Sequence, residues 1–158
     1  MRAIDIMECD VISVPSGTGL PVATRLLLDH RINAMPVMGR EGNVAGMIGI
    51  RDILCVPLSS HNDTPILLWD SLEEKVQHLR DLTVDHVMTR RNLVSVPPQA
   101  SVIEVASIMA NRGVHPLLVM TGGELLGVIG RANIARFLLA LATEEPGGTH
   151  PSQAVGTA

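Results

Sequence analysis

Aromatic residues, cysteines and long apolar runs are scarce in this sequence, and each shortage excludes a class of function. Trp69 and Phe137 are the only aromatic residues, so stacking of nucleic-acid bases on aromatic side chains is excluded as a main binding mode. A net charge of −4 also argues against a nucleic-acid partner. The longest apolar run, residues 137–142, is too short to cross a bilayer, and no secretory signal follows Met1. We therefore expect a cytoplasmic protein with neither a membrane nor a nucleic-acid partner.

Reactive side chains also lack the spacings that catalysis or metal binding requires. Cys9 and Cys55 form no C-x-x-C pair, so we expect free thiols in a reducing compartment, with Cys55 buried in an apolar segment. The six histidines show no metal-ligand spacing, and no metal site is expected. No nucleophile elbow, phosphate-binding loop or paired-carboxylate motif is present. The sequence therefore indicates a protein that is not an enzyme.

The sequence does contain enough apolar residues to build a core. Hydrophobic residues make up 46% of the 158 positions against 18% charged, which excludes a disordered chain. With so few aromatics, aliphatic side chains and the eight methionines must fill the interior. Eleven of the twelve basic residues are arginine, whose planar guanidinium suits phosphate groups.

One nine-residue segment occurs twice. Residues 46–54 read GMIGIRDIL and return 81 positions later, at 127–135, as GVIGRANIA. Each copy runs from an apolar strand through Gly49 or Gly130 into a helix start, with Asp52 or Asn133 in the first turn. A helix start offers unpartnered N–H groups to a polar ligand. The pattern equally fits a plain strand-to-helix turn, in which the glycines allow the turn and Asp52 and Asn133 cap the helix.

The repeat extends to both sides of this segment. Each copy predicts a short helical turn ending in Met, a strand ending in Pro, an amphipathic helix, a two-stranded hairpin and a final helix. The strands are expected at 11–15, 34–38, 44–50, 93–97, 116–120 and 125–129, and the longer helices at 21–30, 72–80, 102–112 and 132–142. The predicted division is a first domain at 1–58, a linker with an amphipathic helix at 59–82, a second domain at 83–142 and a disordered tail at 143–158. The apolar stripe of the linker helix predicts packing against the domain or an oligomer contact.

These elements, which occur in the same order in both copies, resemble the cystathionine-β-synthase (CBS) domain pair, or Bateman module, across residues 1–142. The resemblance implies an α/β fold in which two pseudo-symmetric β-α-β-β-α repeats pack through their sheets and leave two clefts. It also implies a homodimer, an adenosine-containing ligand of the AMP, ADP, ATP, S-adenosylmethionine or NAD type, and a regulated protein partner.

The resemblance assigns ligand contacts to both clefts. It places Asp52 on the ribose hydroxyls in the first cleft and Asn133 in the second, where a single acceptor oxygen is expected to hold ribose less well than a carboxylate. Further contacts implied for the first cleft are Val11, Ile12, Asn33, Ala34, Met35, Pro36, Gly49 and Arg51. Those implied for the second are Leu93, Val94, Val114, His115, Pro116, Leu117, Gly130 and Arg131, with a structural role for His115 as the alternative.

The sequence departs from the family pattern at one position of each copy. The Thr or Ser that would contact phosphate is replaced by Gly49 and Gly130, which removes a hydrogen bond of about 0.5–1.5 kcal/mol from each site. Bare glycine N–H groups could approach an anion instead. Arg51 and Arg131 could replace the lost contact or be solvated at the rim. Two functions therefore stay open: a sensor module that binds an adenosine-type ligand, and a ligand-free dimerisation or protein-interaction module with degenerate clefts.

Overall fold

The computed structural model describes residues 1–56, 72–114 and 116–143, so His115, most of the predicted linker and the predicted tail after residue 143 lie outside the described residues. We call residues 1–56 the first half and residues 84–143 the second half. The elements in chain order are α1 (Ala3–Ile6), β1 (Val14–Pro15), α2 (Leu20–Asp29), β2 (Ala34–Met38), β3 (Val44–Gly49), α3 (Ile50–Leu54), α4 (Leu72–Asp81), α5 (Val84–Val87), β4 (Ser95–Val96), α6 (Val102–Arg112), β5 (Leu117–Thr121), β6 (Glu124–Ile129) and α7 (Arg131–Thr143).

Each half contains a three-stranded sheet of the same topology. In the first sheet β1 pairs parallel with β2, and β2 pairs antiparallel with β3. In the second sheet β4, β5 and β6 pair in the same way, and even the register shift of the hairpin recurs at the equivalent position. The predicted α/β fold of two matching repeats is confirmed. The strands predicted at 11–15 and 93–97 were too long, because only the two residues of β1 and of β4 join a ladder.

Helix ends follow the local chemistry of the sequence. The Ser101 side chain accepts a hydrogen bond from the Glu104 N–H (3.1 Å) and starts α6, and Gly113 ends it with a φ of 63°. In contrast, α3 stops after five residues. This early stop leaves Cys55 exposed while the next residue, Val56, enters the first core. The expected burial of Cys55 was therefore wrong.

The two short helical turns are exchanged between the halves. Ala3 of α1 is fully buried in the core of the second half, and Met7 packs against the same core. Val84 of α5 and Met88 are buried in the core of the first half. Each core is therefore completed by residues from the beginning of the other repeat.

The residues that follow these turns are fixed by matching backbone bridges. Glu8 exchanges two hydrogen bonds with Val128 of β6 (2.8 and 3.0 Å), and Thr89 exchanges two with Met47 of β3 (2.8 and 2.9 Å). Glu8 and Thr89 thus occupy equivalent positions. As a result, the segment after each turn lies beside the glycine motif of the other half.

Asp85 fastens α5 to the first half. Its carboxylate accepts hydrogen bonds from the Ser16 hydroxyl and the Gly17 N–H. The Ser16 hydrogen bond is the main cause that lowers the pKa of Asp85 below its ordinary value. Arg90 also turns back toward Asp85: its Nη2 atom lies 3.7 Å from a carboxylate oxygen and donates to the Asp85 carbonyl (3.0 Å).

The connecting helix α4 agrees with its prediction to within one residue. It contacts α2, and its Leu79 packs against the first core, whereas Val76 is exposed. The apolar stripe is therefore only partly used for packing within the described residues. Across the described ranges, no helix has both the length and the apolar character needed to cross a membrane.

Candidate functional site

A cavity of about 570 Å³ lies between the two halves. Of the predicted contacts, the first half contributes Asn33, Ala34, Gly49, Arg51 and Asp52 to its lining. The second half contributes Leu93, Val94, Val114 and Pro116. The sequence interpretation had placed these four residues beside Asn133. The structure places all four beside Asp52 instead. Leu93 and Val94 lie there because the segment that follows α5 pairs with Met47 of the first half, and the Val94 carbonyl in turn accepts a hydrogen bond from Leu118, next to Val114 and Pro116 in the chain.

Asp52 supplies a carboxylate with one oxygen in use and one largely available. It stands in the first turn of α3, where its Oδ2 accepts a hydrogen bond from the Gly49 N–H (2.7 Å). Its Oδ1 has only a long contact with the Thr89 hydroxyl (3.4 Å). Burial raises the pKa of Asp52, and the hydrogen bonds from Gly49 and Thr89 and the charge of Arg51 partly oppose this effect. The site therefore presents a half-buried acceptor at the cavity wall.

Asn133, the counterpart of Asp52, has no free polar group of this kind. Its Oδ1 accepts a hydrogen bond from the Gly130 N–H (2.9 Å), and its Nδ2 donates to the carbonyl of Ile6 (3.0 Å). The amide group therefore ties α7 to the last residue of α1. Both ends of the Asn133 side chain thus serve the fold.

The motif glycines do not offer free N–H groups to an anion. The N–H groups of Gly49 and Gly130 already donate to Asp52 and Asn133. The expectation that these N–H groups would approach a phosphate is therefore wrong, because the capping side chains occupy them. The two glycines nevertheless differ in the space around them. A Cβ atom at Gly49 would lie 2.9 Å from the Asn33 carbonyl oxygen, whereas one at Gly130 would meet only the Asn133 Oδ1 at 3.5 Å.

This difference predicts opposite results for the same substitution in the two copies. Gly49→Ala is expected to lower the free energy of unfolding by about 1–3 kcal/mol, because the backbone of Asn33 must shift. Gly130→Ala is expected to raise it by about 0.4–1 kcal/mol through the loss of unfolded-state entropy. Urea denaturation of the two variants measures both effects. Equal effects of the two substitutions would contradict the prediction.

The other predicted contacts lie away from this cavity. Three of them, Met35, Pro36 and Leu117, are buried in the sheets. Ile12 packs against the first core, and Arg131 is exposed. Neither these residues nor Val11, Gly130 and Asn133 line the cavity, and His115 falls outside the described residues.

Three polar lining residues were missed from the sequence: Thr89, Arg91 and Asn92. They follow Met88 at the end of the second helical turn. The helical turn ending in Met recurs in both copies, but the residues after the Met carry no motif of their own. The repeat itself could have pointed to them, since Glu8 and Thr89 stand at equivalent positions.

The CBS-domain family model matches residues 3–58 and 84–140, which are the two repeats described above. The chain belongs to the CBS-domain family. The matched ranges place Asp52 in the first CBS domain and Thr89, Arg91 and Asn133 in the second. The cavity is therefore lined by residues of both CBS domains.

Known relatives are similar along most of the chain. A CBS domain-containing protein of Dictyostelium discoideum is 27% identical over 142 residues, which cover 89% of this chain and 93% of that protein. The crystal structure of the CBS-pair protein CBSX2 from Arabidopsis thaliana has a TM-score of 0.72 at 21% identity, covering 89% of this chain and 96% of that one.

Two further solved structures were determined with ligands. A structure of CBSX2 in complex with AMP has a TM-score of 0.70 at 20% identity and covers 89% of this chain and 98% of that one. The CBS domain pair of protein MJ0100, in complex with 5′-methylthioadenosine and S-adenosylmethionine, has a TM-score of 0.67 at 20% identity with the same coverage. At these identities the likeness concerns the CBS-pair fold.

Proposed function

We propose that this CBS pair is a non-catalytic regulatory module that binds an adenosine-containing ligand in the cavity beside Asp52 and signals to a partner protein. The observation that carries the proposal is the Asp52 carboxylate, which keeps its Oδ1 largely available at the wall of a cavity of about 570 Å³. Such a volume lies within the range of small-molecule sites. A carboxylate oxygen accepts strong hydrogen bonds from ribose hydroxyls.

The rest of the lining suits the base of the ligand. Leu93, Val94, Val114 and Pro116 bring apolar surface to the cavity. Adenine needs such surface on its faces, and no aromatic side chain is found among the described residues that line the cavity. The ligands named for CBSX2 and MJ0100 are adenosine compounds, which supports the choice of this class. ADP, ATP and NAD belong to the same class and remain candidates.

The composition of the cavity wall supports a regulatory role. A ligand in the cavity contacts residues of both halves, so it can favour one arrangement of the halves over another. Coupling of this kind requires different affinities of the ligand for the two arrangements. We propose that a partner protein recognises the arrangement that the ligand favours. The cytoplasmic location stays a prediction.

Calorimetry with adenosine, AMP, ADP, ATP, S-adenosylmethionine and NAD tests the proposal. We expect at least one compound to bind the wild-type protein, and Asp52→Ala to bind it at least about tenfold more weakly. Arg90→Gln serves as a control, because Arg90 turns toward Asp85 and does not line the cavity. Absence of binding to the wild type, or unchanged binding by Asp52→Ala, would refute the proposal.

A second candidate function is favoured by the surface of α7. Leu138, Leu139 and Leu141 of this helix are each more than half exposed. Exposed apolar side chains on one helix suit an interface, and we propose a homodimer that uses it. If dimerisation or docking is the whole function, no adenosine compound will shift the melting temperature. Sedimentation would then still show a tight dimer that Leu139→Glu disrupts.

A further inference from the structure

The helical turns α1 and α5 begin with the same hydrogen bond, made by different side chains. In α1 the Arg2 N–H donates to the Asp5 carboxylate (2.7 Å). At the matching positions of α5, the Thr83 N–H donates to the Nδ1 atom of His86 (3.0 Å), whose side chain is exposed. Such a bond satisfies one of the N–H groups that a helix start leaves without a partner. One repeat thus uses a carboxylate, and the other an imidazole, for the same purpose.

The imidazole of His86 can accept this hydrogen bond only while its Nδ1 atom carries no proton. Histidine is the side chain whose charge changes between about pH 5 and 8. A protonated Nδ1 can donate to the Thr83 hydroxyl, 2.9 Å away, but the Thr83 N–H then loses its acceptor. A positive charge in the first turn of a helix also opposes the helix dipole. The start of α5 is therefore weakened in acid, whereas a carboxylate, the acceptor in α1, stays ionised throughout this range.

A proton on His86 is not offset by an ion pair among the described residues. Asp85 precedes it, but the Asp85 carboxylate accepts hydrogen bonds from the first half and lies beside Arg90. Asp81, at the end of α4, accepts from the Gln77 amide (3.3 Å). The β1–α2 loop, against which α5 lies, contains no ionisable side chain. The charge state of His86 is therefore set by the pH of the solution.

The short helix α5 connects the core of the first half to the wall of the cavity. Val84 and Met88 are buried in that core, and the Val84 N–H donates to the Thr18 carbonyl (2.9 Å). The residue after Met88 is Thr89, which exchanges two hydrogen bonds with Met47 of β3 and lines the cavity. A weaker start of α5 thus loosens a segment that forms one wall of the cavity.

From these observations we infer that α5 is a pH-sensitive clamp between the two halves, closed while His86 is neutral and loosened when His86 is protonated. In the closed state α5 keeps Thr89 at the cavity wall. In acid this segment is held less firmly, and the affinity of the cavity for its ligand falls. The effect on the ligand rests on the proposed function, whereas the effect on α5 does not depend on it.

The two carboxylates with shifted pKa values do not produce the same effect. Burial raises the pKa of Asp52, so the contribution of Asp52 to stability is larger in acid. The hydrogen bond from Ser16 lowers the pKa of Asp85, so the Asp85 carboxylate stays charged over the range in which histidine titrates. A loss of stability between about pH 8 and 5 that depends on residue 86 is therefore a specific sign of the clamp.

Urea denaturation at about pH 8 and about pH 5 compares the wild type with His86→Asp, which gives α5 the carboxylate that α1 has. On acidification, the unfolding equilibrium constant of the wild type is expected to rise about fivefold more than that of the variant, the effect of one lost helix cap. His86→Asn, which offers an uncharged acceptor oxygen, should behave like His86→Asp. The control is His30→Asn. It removes an exposed histidine at the end of α2 whose side chain forms no hydrogen bond among the described residues, and it should keep the wild-type pH dependence.

Calorimetry with AMP at the same two pH values measures the effect on the cavity. The AMP affinity of the wild type is expected to fall about threefold more on acidification than that of His86→Asp. Changes common to both proteins, including the titration of Asp52 and of the AMP phosphate, cancel in this comparison.

The outcomes separate this inference from the proposed function. Equal pH dependence of unfolding in the wild type and the two His86 variants overturns the clamp. Equal pH dependence of AMP affinity in the wild type and His86→Asp overturns its effect on the cavity. If AMP and the other adenosine compounds do not bind the wild type at all, the proposed function fails, and the denaturation experiment still decides whether His86 controls α5.

Discussion

The Asn133→Asp variant is expected to lose about 2–4 kcal/mol of unfolding free energy at neutral pH. In the native protein the Asn133 amide donates to the Ile6 carbonyl at 3.0 Å. A carboxylate at this half-buried position would place a negatively charged oxygen against that carbonyl oxygen. The hydrogen bond is lost and a repulsion is added, so α1 is held less firmly against the second half.

Denaturation at several pH values tests the cause of this loss. On acidification the new carboxyl group binds a proton and can donate to Ile6 again, so the loss should shrink as the pH falls. Asn133→Ala is the control: it lacks both hydrogen bonds but carries no charge, and its loss should not depend on pH. An Asn133→Asp variant as stable as the wild type at neutral pH would show that the amide does not hold α1.

The reverse exchange, Asp52→Asn, is expected to cost about 10–100-fold in affinity for an adenosine ligand with no loss of stability. The amide oxygen can still accept from the Gly49 N–H, as the one of Asn133 does from Gly130. The other end becomes an NH₂ group, which cannot accept from a ribose hydroxyl. Asp52→Ala, in contrast, should lose the ligand and also about 0.5–2 kcal/mol from the missing cap. Unchanged affinity in Asp52→Asn would contradict the assignment of the ribose contact.

The pH dependence of the wild type gives a further check on Asp52. Burial raises the pKa of Asp52 above its ordinary value, so the folded state binds the carboxyl proton more tightly than the unfolded state does. The resulting stabilisation is complete at pH values below the unfolded-state pKa and is lost as the pH rises through the folded-state pKa. Ligand affinity depends on pH in the opposite direction. It falls as the pH drops through the raised pKa, by up to about tenfold per pH unit, because the protonated carboxyl accepts less well. Asp52→Asn should remove both dependences in calorimetry and in denaturation.

Most of the fold could be predicted because the sequence signals for it are local and occur twice. Ser101 and Gly113 mark the two ends of α6, and both act as their residue types suggest. The 81-residue repeat of the glycine segment then showed that each element has a partner of the same kind. The lengths of β1 and β4 could not be predicted, because an apolar run does not reveal which of its residues find a pairing strand.

The candidate site was predicted only in part, because its geometry depends on contacts between residues that are far apart in the sequence. Asp52 and Gly49 were identified because they belong to one continuous motif. The partners of Asp52 in the cavity depend on the exchange of α1 and α5, a long-range contact that leaves no local pattern. For the same reason Leu93 and Val94 were assigned to the wrong side, and Thr89 and Arg91 were missed.

Because α1 and α5 are exchanged between the halves, we expect both repeats to be needed for a stable fold. A fragment that ends at residue 56 would lack Val84 and Met88 from its interior, and its own Ala3 would have no pocket to enter. The remaining fragment would lack Ala3 from its core, and its own Val84 and Met88 would have no core to enter. Neither piece is expected to be stable alone, and mixing the two should restore the native arrangement.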